Sequence, residues 1–119
     1  MLKGVGELKN VIISLVLLVM IVIAGCGSSS PDYPTALTGT NGTGQEYLSW
    51  YAAPGATGYN VYRGTVSGPV SSKTMIASNL STTYYTDATV IPGNNYFYQV
   101  TAILSTGESK ASNEVNVVP

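Results

Sequence analysis

Apolar residues follow two different rhythms along this chain. From Val11 to Ile23 they form a nearly unbroken block, interrupted only by Ser14. Lys3 and Lys9 precede the block, Ala24, Gly25 and Cys26 close it, and no charge falls between Lys9 and Asp32. A basic start, an apolar stretch and a small-residue end make the layout of a secretory signal. As a helix the block spans only ~20 Å at ~1.5 Å per residue, short of the ~30 Å hydrocarbon core of a bilayer. From Pro34 onward the rhythm changes. Short β-branched and aromatic runs alternate with polar residues and are punctuated by Gly, Pro, Asn and Ser. That pattern predicts strands and no helix.

Seven strands are predicted. They fall near Thr35–Gly39, Gln45–Tyr51, Gly58–Gly64, Thr74–Ser78, Thr83–Asp87, Asn95–Leu104 and Glu108–Val118. Turns are expected at Ala53-Pro54-Gly55-Ala56, Pro92-Gly93-Asn94 and Ser105-Thr106-Gly107. Alternation places Leu48 and Trp50 on one face of the second strand, with Tyr47, Ser49 and Tyr51 on the other. Tyr59 and Val61 share a face of the third strand. In the sixth, Tyr96, Tyr98, Val100 and Ala102 alternate with Phe97, Gln99 and Thr101. The expected core is Leu48, Trp50, Tyr59, Val61, Tyr96, Tyr98 and Val100. Seven short strands in so few residues predict an all-β sandwich of the immunoglobulin type.

Two resemblances sharpen this reading. Ile23-Ala24-Gly25-Cys26 resembles the lipobox of bacterial lipoproteins. The resemblance implies cleavage between Gly25 and Cys26, a diacylglycerol on the Cys26 thiol and an acylated new amino terminus. The residue types suit that chemistry, since a thiol is a good nucleophile for thioether formation and small side chains leave the backbone open to a peptidase. Residues 1–25 are then a lipoprotein signal peptide. Residues 26–33 are an acylated cysteine and a flexible tether of small polar residues, with a reach of at most ~28 Å. Acyl chains worth ~0.8 kcal/mol per buried methylene hold such a protein on a membrane without a spanning helix. Gly27, in place of an aspartate, leans towards the outer membrane if the host is Gram-negative.

The second resemblance covers residues 34–119. Leu48-Ser49-Trp50, Pro54 to Arg63, Tyr85-Thr86-Asp87, Pro92 to Ala102 and Gly107-Glu108-Ser109 together resemble a bacterial fibronectin type III domain. The resemblance implies two sheets, strands A, B and E against C′, C, F and G. It also implies that Trp50 is the core tryptophan of strand B, that Asp87 closes strand E, and that the Tyr96 hydroxyl closes a corner onto nearby backbone.

Composition narrows the function. Cys26 is the lone cysteine and the chain has no histidine. An internal disulfide, a His/Cys zinc site and histidine-based catalysis are therefore excluded. A net charge of −1 with five basic residues argues against a nucleic-acid partner. The five carboxylates beyond the signal, Asp32, Glu46, Asp87, Glu108 and Glu114, are scattered, and solvated surface charge is their expected role. Lys73 beside Ser71 and Ser72 reads as loop composition. No metal and no cofactor are expected beyond the covalent lipid on Cys26. The expected binding surface is Tyr62 and Phe97, predicted to project from one sheet away from the core. The chain is thus expected to be an exported, lipid-anchored, non-enzymatic interaction or spacer module. The alternative is a carbohydrate- or polymer-binding accessory protein using those exposed aromatics.

Overall fold

The computed structural model describes residues 30–119. The signal segment, the cleavage site at Gly25 and Cys26, and the start of the tether lie outside the described residues. The strands are β1 (Thr35–Gly42), β2 (Gln45–Tyr51), β3 (Gly58–Gly64), β4 (Thr74–Leu80), β5 (Tyr84–Asp87), β6 (Tyr96–Leu104), β7 (Gly107–Glu108) and β8 (Val115–Val117). They form two antiparallel sheets. One has the order β1-β2-β5, the other β4-β3-β6-β7, with β8 also paired to β6. This is the expected division of A, B and E from C′, C, F and G.

Alternation builds the core. In β2, Glu46, Leu48 and Trp50 are buried while Tyr47, Ser49 and Tyr51 are exposed. From the facing sheet, Tyr59, Val61, Tyr96, Tyr98, Val100 and Ala102 are buried against them. Trp50 and Tyr59 meet edge to face, with ring centroids 5.6 Å apart. The hydroxyls of the inward tyrosines all find partners. Tyr59 accepts from the Ala53 N–H at 3.1 Å, and Tyr96 accepts from the Ile91 N–H at 2.9 Å. The second bond is the corner implied for Tyr96. Each ties an irregular connection to a core ring, so the loops at both places are anchored by the residues that fill the interior.

Three departures from the predicted strands have local causes. The first strand runs on to Gly42, because Thr43 and Gly44 form a two-residue hairpin turn with Gly44 at φ +68°. The same strand carries a bulge between Thr35 and Thr38, where Ala36 takes the left-handed value φ +53°. The Leu37 backbone freed by this bulge is not left bare. Its N–H donates to Asn113 Oδ1, and its C=O accepts from Asn113 Nδ2, both at 2.9 Å.

The last departure is a correction. The single strand expected over Glu108–Val118 is split into β7 and β8. Between them, side-chain hydroxyls occupy ladder positions. The Ala102 N–H donates to Ser109 Oγ at 2.8 Å and the Val100 N–H donates to Ser112 Oγ at 2.9 Å. Ser and Asn side chains compete with backbone groups in this way, so the strand loses its regular pairing without losing its hydrogen bonds.

Candidate functional site

The outer face of the larger sheet holds Tyr62 and Phe97. Tyr62 lies opposite Gln99 and Phe97 lies opposite Gly64, so the two aromatics share a face two positions apart in register. Both are half-buried. The Tyr62 hydroxyl donates to Glu108 Oε1 at 2.6 Å, and Glu108 also accepts from Thr101 Oγ1 and Asn60 Nδ2. Burial together with this carboxylate pushes the Tyr62 phenol up from its ordinary value. The structure thus brings the expected pair onto one surface, but the Tyr62 hydroxyl is engaged by Glu108 of β7, reaching across β6.

Next to this face the chain from Gly64 to Thr74 folds back over a lysine. Lys73 Nζ is fully buried, and it donates to Gly68 O, Gln99 Oε1 and Glu114 Oε2 at 2.6, 2.9 and 2.6 Å. Glu114 accepts further from Ser67 Oγ and the Gly68 N–H. These contacts, led by Lys73, hold the Glu114 carboxyl down to about 2. Ser72 Oγ instead donates to Pro69 O. Lys73 is therefore a structural cation that pins the loop to the last strand.

The expectation of solvated carboxylates fails at two positions. Glu46 and Asp87 are both buried, and they stand opposite each other across β2 and β5. Asp87 accepts from Arg63 Nη1, Tyr98 OH, Thr89 Oγ1 and the Thr89 N–H. Burial alone would raise its carboxyl. The hydrogen bonds from Thr89, Tyr98 and Arg63 outweigh that and hold it below its ordinary value. Neither oxygen of Glu46 has a partner among the described residues. Burial, with Asp87 adding to it, pushes Glu46 up. The signal for Glu46 was present in the strand period, since 46, 48 and 50 are in phase.

The smaller sheet presents the more open aromatics. Tyr47, Tyr51 and Tyr84 are 47%, 71% and 64% exposed. Tyr84 lies opposite Ser49, and Ser49 lies opposite Thr38, so all three strands contribute to one outer face. A concavity of about 360 Å³ opens there between Tyr51 and Tyr84, bordered by Ala36, Thr38 and Ser49. Thr38 Oγ1 and Ser49 Oγ are hydrogen-bonded to each other at 3.0 Å on its border. Sequence alternation placed Tyr47 and Tyr51 on this side. Tyr84 joins them only through the register of β5 against β2, which no local pattern encodes.

Comparison with known proteins follows the fold. No family model matches the sequence. The crystal structure of an Fn3-like protein from Clostridium thermocellum superposes with a TM-score of 0.69 at 39% identity, covering 76% of this chain and 96% of that one. This chain belongs to the Fn3-like family. Parts of longer chains also resemble this one in fold or in sequence. A pectate lyase, PelI from Erwinia chrysanthemi, solved in complex with tetragalacturonic acid, matches at TM-score 0.63 and 28% identity over 69% of this chain and 27% of that one. The amylopullulanase of Thermoanaerobacterium thermosulfurigenes is 41% identical over 92 residues, 76% of this chain but 5% of the enzyme. That of Thermoanaerobacter thermohydrosulfuricus is 40% identical over 102 residues, 85% of this chain and 7% of the enzyme. This chain therefore spans only a small fraction of the curated relatives it matches.

Proposed function

We propose that this chain is a lipid-anchored surface protein whose Fn3-like domain acts as a non-catalytic interaction or spacer module. The observation that carries the reading is the contrast in coverage. The domain corresponds to nearly the whole of one Fn3-like protein, and to 5–7% of amylopullulanases of far greater length. It is a self-contained unit that recurs attached to other machinery. The Ile23-Ala24-Gly25-Cys26 sequence supports export and acylation, with Cys26 as the lipid-bearing residue and Gly25–Cys26 as the cleavage site. In the host, metabolic labelling with a clickable fatty acid tests this directly. The wild-type chain should carry label and run at the processed size. Cys26→Ser should carry none and accumulate as precursor. Equal processing of the two would overturn the anchor.

A second reading, favoured by the exposed tyrosines of the smaller sheet, is that the module holds a polysaccharide. The relatives support it to the extent that they are named for polysaccharide chemistry, amylopullulanase and pectate lyase.

A further inference from the structure

The outer face of the β1-β2-β5 sheet carries more than loose surface aromatics. Its outward positions are Thr38 and Thr40 from β1, Tyr47, Ser49 and Tyr51 from β2, and Tyr84 and Thr86 from β5. None is charged. The charged groups Lys73, Glu108 and Glu114 belong to the other sheet and the connections around it. Arg63 and Asp87 are paired with each other at 2.8 Å. The outward strand positions of this face are therefore uncharged, hydroxyl-rich and walled by aromatic rings.

We propose that this face binds a neutral polysaccharide, with Tyr51 and Tyr84 flanking one sugar in the cleft between them. The proposal rests on the reading of the domain as a binding module and names its ligand class. A sugar ring has apolar C–H faces and a hydroxyl rim. The first suits the tyrosine rings, and the second suits the Thr38–Ser49 floor, whose hydroxyls are already oriented towards one another. The outward strand positions are Tyr, Thr and Ser alone, so every polar group there is a hydroxyl that can both donate to and accept from a sugar's hydroxyl rim. Tyr47 and Tyr51 are four residues apart on β2, about 13 Å at ~3.3 Å per residue. That span exceeds one sugar ring, so the fitting ligand is a chain. The cleft is also preformed. Ala36, on its border, holds a left-handed backbone conformation that non-glycine residues adopt at a cost. The Asn113 clamp on Leu37 locks it there. A fixed wall reduces the ordering cost of binding.

The test uses the full chain in mild detergent, run in native gels containing amylopectin, pullulan, a soluble neutral β-glucan or polygalacturonate. At least one neutral polymer should retard it. Tyr51→Ala and Tyr84→Ala should each weaken retardation about tenfold or more, and Tyr62→Ala should leave it unchanged. Thermal melts confirm folding of each variant. Thr38→Arg on the exposed edge strand fills the cleft without altering either ring, and should also abolish retardation. Four outcomes would overturn the proposal. They are no retardation by any neutral polymer, stronger retardation by polygalacturonate, binding that survives the Tyr51→Ala/Tyr84→Ala double variant, or loss in Tyr62→Ala instead. Any of these would end the glycan assignment and leave the module reading intact. Failure of acyl labelling at Cys26 would overturn the lipid anchor and leave both the module reading and the glycan assignment standing.

Discussion

Glu46 and Asp87 sit directly across from one another between β2 and β5, both out of water, and share the interior unequally. Asp87 takes every donor nearby, and Glu46 takes none. Their carboxyls move in opposite directions as a result.

This asymmetry has a pH signature. Glu46 is raised in the folded protein, so the folded state holds its proton more tightly than the unfolded chain does. Its effect on stability is harmless below the unfolded value of about 4.3. As pH rises from there through the folded value, stability is lost. Glu46→Gln removes the ionisation at similar volume. The variant should melt a few degrees above wild type at pH 7, with the gap closing towards pH 4. Circular dichroism melts across that range check it, and a gap independent of pH would contradict the assignment.

Glu114 should behave in the opposite sense. Its carboxyl is held down to about 2 by Lys73 and Ser67, so the stability it contributes is full above about 4.3 and disappears as pH falls towards 2. Glu114→Gln removes the negative charge and leaves Lys73 as a buried cation facing only neutral acceptors, Gly68 O, Gln99 Oε1 and the amide oxygen of the new side chain. Breaking a buried pair in this way costs about 3 kcal/mol at neutral pH. Urea unfolding of both proteins at pH 7 and pH 3 should show a large difference at the first and a smaller one at the second.

Trp50 offers a sharper test of the core than simple truncation. It is buried against Tyr59, yet its indole N–H has no acceptor among the described residues. Trp50→Ala should cost about 3–5 kcal/mol through the cavity it leaves. Trp50→Phe, which also removes the unpaired donor, should cost much less than that. Equal losses in the two variants would mean that the N–H is satisfied in solution.

The strand that follows strict alternation, Gln45–Tyr51, was legible residue by residue, and the bounds of Gly58–Gly64 were legible although both its faces are covered. So were Trp50, Tyr59 and Tyr96 as inward rings, because period two assigns faces without any knowledge of partners. What escaped was of two kinds. Glu46 has the phase of an inward residue and the charge of an outward one, and only the packed structure decides between them. The Asn113 clamp and the arrival of Tyr84 beside Ser49 depend on contacts between residues distant in sequence. Short-range pattern carries no information about those. The open aromatic face therefore emerged only when the sheets were assembled, while Tyr62 and Phe97 proved to be half-buried neighbours of Glu108 and β8.

The irregular strand ends have a collective effect. Each sheet has two borders, and none of the four offers a long unbroken row of free N–H and C=O groups. β1 is interrupted at Ala36, β5 is four residues long, β4 carries register shifts and the positive φ of Asn79, and β7 and β8 are separated by six residues. Unprotected borders recruit further strands and lead to edge-to-edge aggregation. A domain guarded in this manner can be crowded without its copies zipping together, which leaves its broad faces as the surfaces through which it meets anything else.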